Sequence, residues 1–215
     1  VSLPAHRPAG TGPLVRRLGT ADYLETWSAM RAFTDARGPD TADELWLLEH
    51  PPVYTLGWNA RAEHLLDAGD IPVVRCDRGG QVTYHGPGQL VLYALIDLRR
   101  RRLGVREFVH RLEAAVIDLL QGYGIEGSRR AGAPGVYVDG AKIAALGLRV
   151  RRGAAYHGIS LNVTTDLAPF GRIDPCGYAG LKVTRLCDLG GPADASAVAT
   201  PLAAAVAAQL PEATC

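Results

Sequence analysis

Three strand-length apolar runs joined by two tight turns occupy the middle of this chain. Val136–Val138 and Ala141–Val150 flank Asp139-Gly140, a two-residue signal for a hairpin, and Arg152-Gly153 turns the chain back into Ala154–Val163. Strands connected this closely run antiparallel, because a parallel pair needs a crossover of a dozen residues or more. The segment therefore predicts an antiparallel three-stranded unit, and every other element must be fitted around it.

The flanking sequence supplies both strands and helices. Leu14–Leu18 reads as a strand, and Thr20 caps a helix on which Tyr23, Trp27 and Met30 share a face. Glu44–Glu49 and Val53–Leu56 read as strands across the Pro51-Pro52 break, followed by Ile71–Arg75 and Val91–Leu98. From Val105 to Leu120, Val105, Phe108, Val109, Leu112, Val116, Leu119 and Leu120 recur at helical spacing, and Gly122 and Gly124 stop the helix. Two alanine-rich helical pieces close the chain, one near Ala193–Ala199 and one capped by Thr200 with Pro201 at its first position. The expected class is α/β (α+β), a central mixed sheet flanked by helices. With 47% hydrophobic residues in 215, one core suffices: a single domain over 14–211, with residues 1–13 and the tail beyond Pro211 as loose ends.

Charge and cysteine usage narrow the function classes. A formal net charge of +1 gives no ground for nucleic-acid binding, which needs a clustered basic surface. Cys76, Cys176, Cys187 and Cys215 form no CxxC pair and no zinc-ligand spacing, and no run is apolar and long enough to span a bilayer. The expectation is a cytoplasmic chain without a metal, a cofactor or a membrane partner.

Between the strands lies a segment of another kind. RGGQVTYHGPGQL, from Arg78 to Leu90, holds four glycines, a proline, a histidine, a tyrosine and an arginine in thirteen residues. A linker of that glycine content is padded with serine and charge, whereas here a strand follows at once. Glycines let backbone N–H groups come close to a ligand, so the run reads as a cradle. Arg78 serves either a salt bridge that holds the turn or a contact to the ligand.

The lysine count points to the chemistry. Of 23 basic residues only Lys142 and Lys182 are lysines. Arginine stays protonated, so a side chain that must give up its proton near neutral pH has to be one of these two. Lys142 opens a strand and is followed by apolar residues, which places its amine where desolvation favours the neutral form. Cys176, in PCGYAG, sits at a turn where Gly177 can offer an N–H to an oxyanion, and a thiol beside a neutral amine is an activated nucleophile. His85, within the Gly-rich run, and His157, opening HGISLNV, are rival bases for the same thiol.

RGGQVTYHGPGQL, GAKIAALG, HGISLNV and PCGYAG, in this order and at these separations, resemble the lipoyl(octanoyl) transferase family. The resemblance implies a fold shared with the biotin and lipoate protein ligase catalytic domains. It implies transfer of an octanoyl group from octanoyl-acyl carrier protein, through a thioester on Cys176 activated by Lys142, to a lysine of a carrier domain. The carriers it implies are the lipoyl domains of 2-oxo acid dehydrogenase complexes and the glycine cleavage H protein. Arg78, Gly79, Gly80, Gln81, Val82, Thr83, Tyr84 and His85, with Ala145, Leu146, Gly147, Gly158, Ile159 and Ser160, are then the acyl-binding residues, Tyr84 and His85 supplying apolar faces. Ala145 departs from the serine of many members. The competing expectation is an ATP-dependent lipoate-type ligase on the same fold, in which Cys176 is dispensable. Acyl carrier proteins are strongly acidic, which makes Arg99–Arg102 and Arg149–Arg152 candidate docking runs.

Overall fold

The alternation of apolar residues along Leu90–Ile96 sets the architecture, because both sides of that strand are buried. In the computed structural model, which describes residues 12–174 and 180–213, β6 (Gln89–Asp97) is the third strand of a six-stranded sheet. Leu90, Leu92, Ala94 and Ile96 enter the main core with α2 (Val105–Gln121) and α3 (Ala195–Ala208), while Val91, Tyr93 and Leu95 pack on the other face with Met30 of α1 (Tyr23–Asp35). A strand covered on both faces carries no polar alternation.

The sheet order is β1 (Leu14–Thr20), β2 (Glu44–Glu49), β6, β9 (Ala154–Asn162), β8 (Ala141–Arg151), β7 (Gly135–Val138). Only the β1–β2 pair is parallel, so the sheet is mixed, and β7, β8 and β9 are the antiparallel unit expected from the turns. A second sheet, β4 (Val73–Arg75), β3 (Val53–Leu56), β5 (Val82–His85), carries the Gly-rich run. No helix among the described residues is long and apolar enough to cross a membrane.

Three local expectations are corrected. The first helix is capped by Asp22, whose Oδ1 accepts the Glu25 N–H at 3.0 Å, since Thr20 is still paired with Glu49 in β1. The two C-terminal helical pieces are one helix with Pro201 inside it: Asp194 is the cap, and burial of Val198, Leu202, Ala203 and Val206 offsets the lost hydrogen bond. Arg99–Arg102 is not an open basic run. Arg100 and Arg101, with Arg37, converge on the buried carboxylate of Asp43 at 2.9, 2.6 and 2.9 Å respectively, tying α1, β2 and the end of β6 together.

Candidate active site

Side chains two apart along a strand share a face, and on the α1 side of the sheet the three inner strands carry small or polar residues in rows. Gln89 lies opposite Asn162; Val91, Ser160 and Ala145 form the next row; Tyr93, Gly158 and Gly147 the third. All of them line a cleft of about 740 Å³ that opens partly to solvent. Gly158 is required by the sheet itself, because a Cβ there would lie 2.1 Å from the Leu92 carbonyl.

A β-bulge brings Lys142 to this face. Tyr137 of β7 pairs with Lys142 and Val136 with Ala144, so Ile143 is an extra residue in β8. Ile143 and Ala144 both enter the main core, and Lys142 is left on the cleft side with Ala145 and Gly147. Its side chain is buried, with Nζ donating to the Pro134 carbonyl at 3.1 Å and lying 5.2 Å from the Tyr137 ring centroid. Its backbone N–H donates to the Lys182 carbonyl at 2.8 Å, and its own carbonyl accepts from Thr184 at 3.0 Å. That contact leaves Lys182 at the surface end of the segment and Lys142 as the lysine of the cleft.

The Gly-rich run closes the cleft from above. Gly79 donates to the Leu148 carbonyl at 2.9 Å, and a Cβ on Gly147 would meet the Gly79 carbonyl at 3.0 Å, so the run lies directly on β8. Arg78 anchors it without an ion pair among the described residues: Nη2 donates to the Thr55 carbonyl at 2.6 Å and Oγ1 at 2.8 Å, and Nη1 to the Gly79 carbonyl at 3.0 Å. Beyond it, Val82–His85 joins β3 in the small sheet.

Burial holds the two histidines of the cleft, His85 and His157, neutral. The Gln89 amide nitrogen is engaged by the Tyr84 carbonyl and Asn162 Oδ1, so Gln89 Oε1 faces His85 and accepts from Nδ1 at 2.7 Å. Burial, and next the proximity of His50, pushes the His85 pKa down from 6.5 to about 3. His157, in the left-handed region at φ 63°, donates from Nε2 to Asp77 at 2.9 Å; burial lowers its pKa despite that partner, and its Nδ1 has no hydrogen-bond partner among the described residues. Burial raises the Asp77 carboxyl, but bonds from His157, Tyr156 and Trp27 prevail and hold it below the usual range.

A sign follows for pH. Between 6.5 and about 3 the unfolded chain protonates His85 and the native chain does not, so stability is lost as pH falls through that window. His85→Gln is expected to flatten the decline, read as melting temperature against pH.

With the geometry described, the relatives become informative. The family "Lipoyl protein ligase A/B catalytic domain" matches residues 22–207. An octanoyltransferase of Aromatoleum aromaticum is 63% identical over 208 residues, covering 96% of this chain and 90% of the relative. The chain belongs to the octanoyltransferase family. Among solved structures, a putative lipoate protein ligase from T. acidophilum with bound lipoic acid superposes with a TM-score of 0.75 at 16% identity, covering 93% of this chain and 86% of that one. A biotin protein ligase from Aquifex aeolicus superposes at 0.56 and 11%, covering 91% and 69%. These likenesses establish a common fold, the one the sequence resemblance implied.

In this octanoyltransferase-family chain the structure gathers most of the expected binding residues around one cleft. Arg78, Gly80, Gln81, Val82, Thr83 and His85 line it from the run, and Ala145, Leu146, Gly147, Gly158, Ile159 and Ser160 from the sheet. Gly79 and Tyr84 are not among the lining residues: the Gly79 N–H donates to β8, and the Tyr84 ring packs against Tyr54 and Phe170 in the small core. Cys176 lies outside the described residues. Sequence reasoning missed Tyr23, Gln89, Tyr93, Asn162, Phe170 and Val183, which also line the cleft. Extending the alternation Gly158, Ser160 by one step reaches Asn162; Tyr23 carries no such signal.

Proposed function

We propose that this chain transfers an octanoyl group from octanoyl-acyl carrier protein to a lysine of a lipoyl carrier domain, with Cys176 as nucleophile and Lys142 as base. The observation that carries the reading is the buried Lys142 amine, turned by the Ile143 bulge onto the floor of the cleft. Phe170 and Val183, which precede and follow Cys176 in the chain, both line the same cleft.

In the first half-reaction Lys142 takes the Cys176 proton and the thiolate attacks the thioester carbonyl of the donor. The carrier thiolate leaves and is protonated by Lys142, and one thioester has replaced another. In the second, Lys142 accepts a proton from the attacking carrier lysine, its amine displaces the Cys176 thiolate, and the thiolate is reprotonated. The product is an amide, so the second step runs downhill without a nucleotide. The five steps from Lys142 to Gly147 span about 16 Å of strand, enough for an extended eight-carbon chain over Ala145 and Ser160. Carrier domains of 2-oxo acid dehydrogenase complexes and the glycine cleavage H protein are the acceptors this reading assigns, and the cytoplasm its location.

The test is the intact mass after incubation with octanoyl-acyl carrier protein. One octanoyl adduct, mapped to Cys176 and absent from Cys176→Ser together with turnover, is expected. ATP-dependent transfer by Cys176→Ser at the parent rate would overturn the reading in favour of a ligase.

A further inference from the structure

An exposed tryptophan and an arginine that has no carboxylate partner among the described residues stand beside the run that roofs the cleft. Trp58 is 69% exposed, and the Arg149 guanidinium carbon sits 5.6 Å from its ring centroid. The Trp58 backbone N–H donates to the Arg78 carbonyl at 2.8 Å, so its loop is fastened to the run that roofs the cleft. Arg149 follows Gly147 by two residues on β8 and so lies on the same face of the sheet, next to Leu148, whose carbonyl accepts from Gly79. Arg31, 5.4 Å from the Trp27 ring centroid on α1, is linked to the same face: the Trp27 indole N–H and the Tyr156 hydroxyl both donate to Asp77, and Tyr156 pairs with Arg149.

Among the described residues neither Arg31 nor Arg149 has a carboxylate within 4.0 Å. The neighbouring arginines are occupied: Arg151 pairs with Asp35 at 2.9 Å and Arg152 donates to the Asp35 carbonyl at 3.4 Å. The charge of Asp77 is engaged by Trp27, Tyr156 and His157. What remains is an exposed indole in contact with one arginine and a second arginine on α1, the composition typical of a protein contact rather than of solvated surface.

We propose that Trp58, Arg149 and Arg31 form the docking surface for the acidic carrier protein that delivers the acyl chain. The inference rests on the reaction proposed above and adds the place where its donor binds. Leu148, hydrogen-bonded to Gly79 below this patch, is six residues along β8 from Lys142, about 20 Å of extended strand. A carrier seated on the patch therefore stands away from the reacting atoms and presents its thioester on a flexible prosthetic arm. Carboxylates on the carrier meet the arginines, and an apolar side chain meets the indole.

Steady-state transfer to one acceptor domain is measured with two donors, octanoyl-acyl carrier protein and the octanoyl thioester of a small thiol, for the parent chain, Trp58→Ala and Arg149→Glu. The expected result is a rise of about tenfold in KM for the carrier donor in each variant, with kcat/KM for the small thioester unchanged. Added salt is expected to raise the carrier KM of the parent and to have little effect on Arg149→Glu. An unchanged carrier KM, an equal loss with both donors, or a rise confined to the KM of the acceptor domain would each overturn the assignment. If the parent uses neither donor, the proposed reaction itself fails and the docking surface falls with it, a result distinct from any seen in the variants alone.

Discussion

Lys142→Met is expected to lower octanoyl transfer by about 10³-fold, within the range that a positioned general base contributes, while the protein still folds. Methionine keeps most of the stem that fills the space beside Tyr137 and Gly135 and removes only the amine. Lys142→Arg is expected to be equally inactive, because a guanidinium cannot release its proton near neutral pH. It also strains the site: a Cβ on Gly135 would already stand 3.1 Å from Lys142 Cε, which shows how closely the backbone wraps this side chain. Single-turnover rates and thermal melts on both variants separate the two effects. A Lys142→Met variant within tenfold of the parent would move the base to His157 or His85, whose depressed pKa values already leave them neutral.

The largest expected loss of stability lies elsewhere, at Asp43. Its carboxylate is almost completely buried and accepts from Arg37, Arg100 and Arg101, as well as from the Asp97 backbone N–H at 2.8 Å. Removing it in Asp43→Ala strands buried guanidinium groups without their counter-charge, and breaking a buried pair in this way costs about 3–5 kcal/mol. For a chain of this size that is a fall of about 10 °C in melting temperature. Glu63→Ala is the control: Arg61 and Glu63 are 72% and 68% exposed, and the loss of such a pair is expected to leave the melt within error. Equal melts for the two variants would refute the burial argument.

Much of the fold was legible because local signals and tertiary packing agree. The strands Glu44–Glu49 and Val53–Leu56, the helix from Val105 and the two turns of the β7–β9 unit stand where the sequence puts them. Boundaries failed where a neighbouring element intervened: pairing with Glu49 extends β1 through Thr20, and burial against the sheet carries one helix across Pro201. At the site, the Gly-rich run and the later motifs named most of the cleft lining. Tyr84 alternates with His85 along β5 and packs in the small core with Tyr54 and Phe170.

The sequence by itself determined the inventory: a lysine-poor chain with one lysine inside a motif, a glycine-rich run, a cysteine in the motif PCGYAG, and an antiparallel unit between helices. Periodicity and residue chemistry are local properties, and they can be read without coordinates. Only the tertiary structure decided which face each residue serves. The register of β7 against β8 leaves Ile143 unpaired and turns Lys142 into the cleft. The packing of Gly79 on Gly147 lays the glycine run over β8, and Asp43 draws Arg100 and Arg101 out of an apparent basic run while Arg149, with no carboxylate partner among the described residues, stands beside Trp58. Each of these outcomes depends on a partner distant in the chain, which the local spacing of residues does not encode.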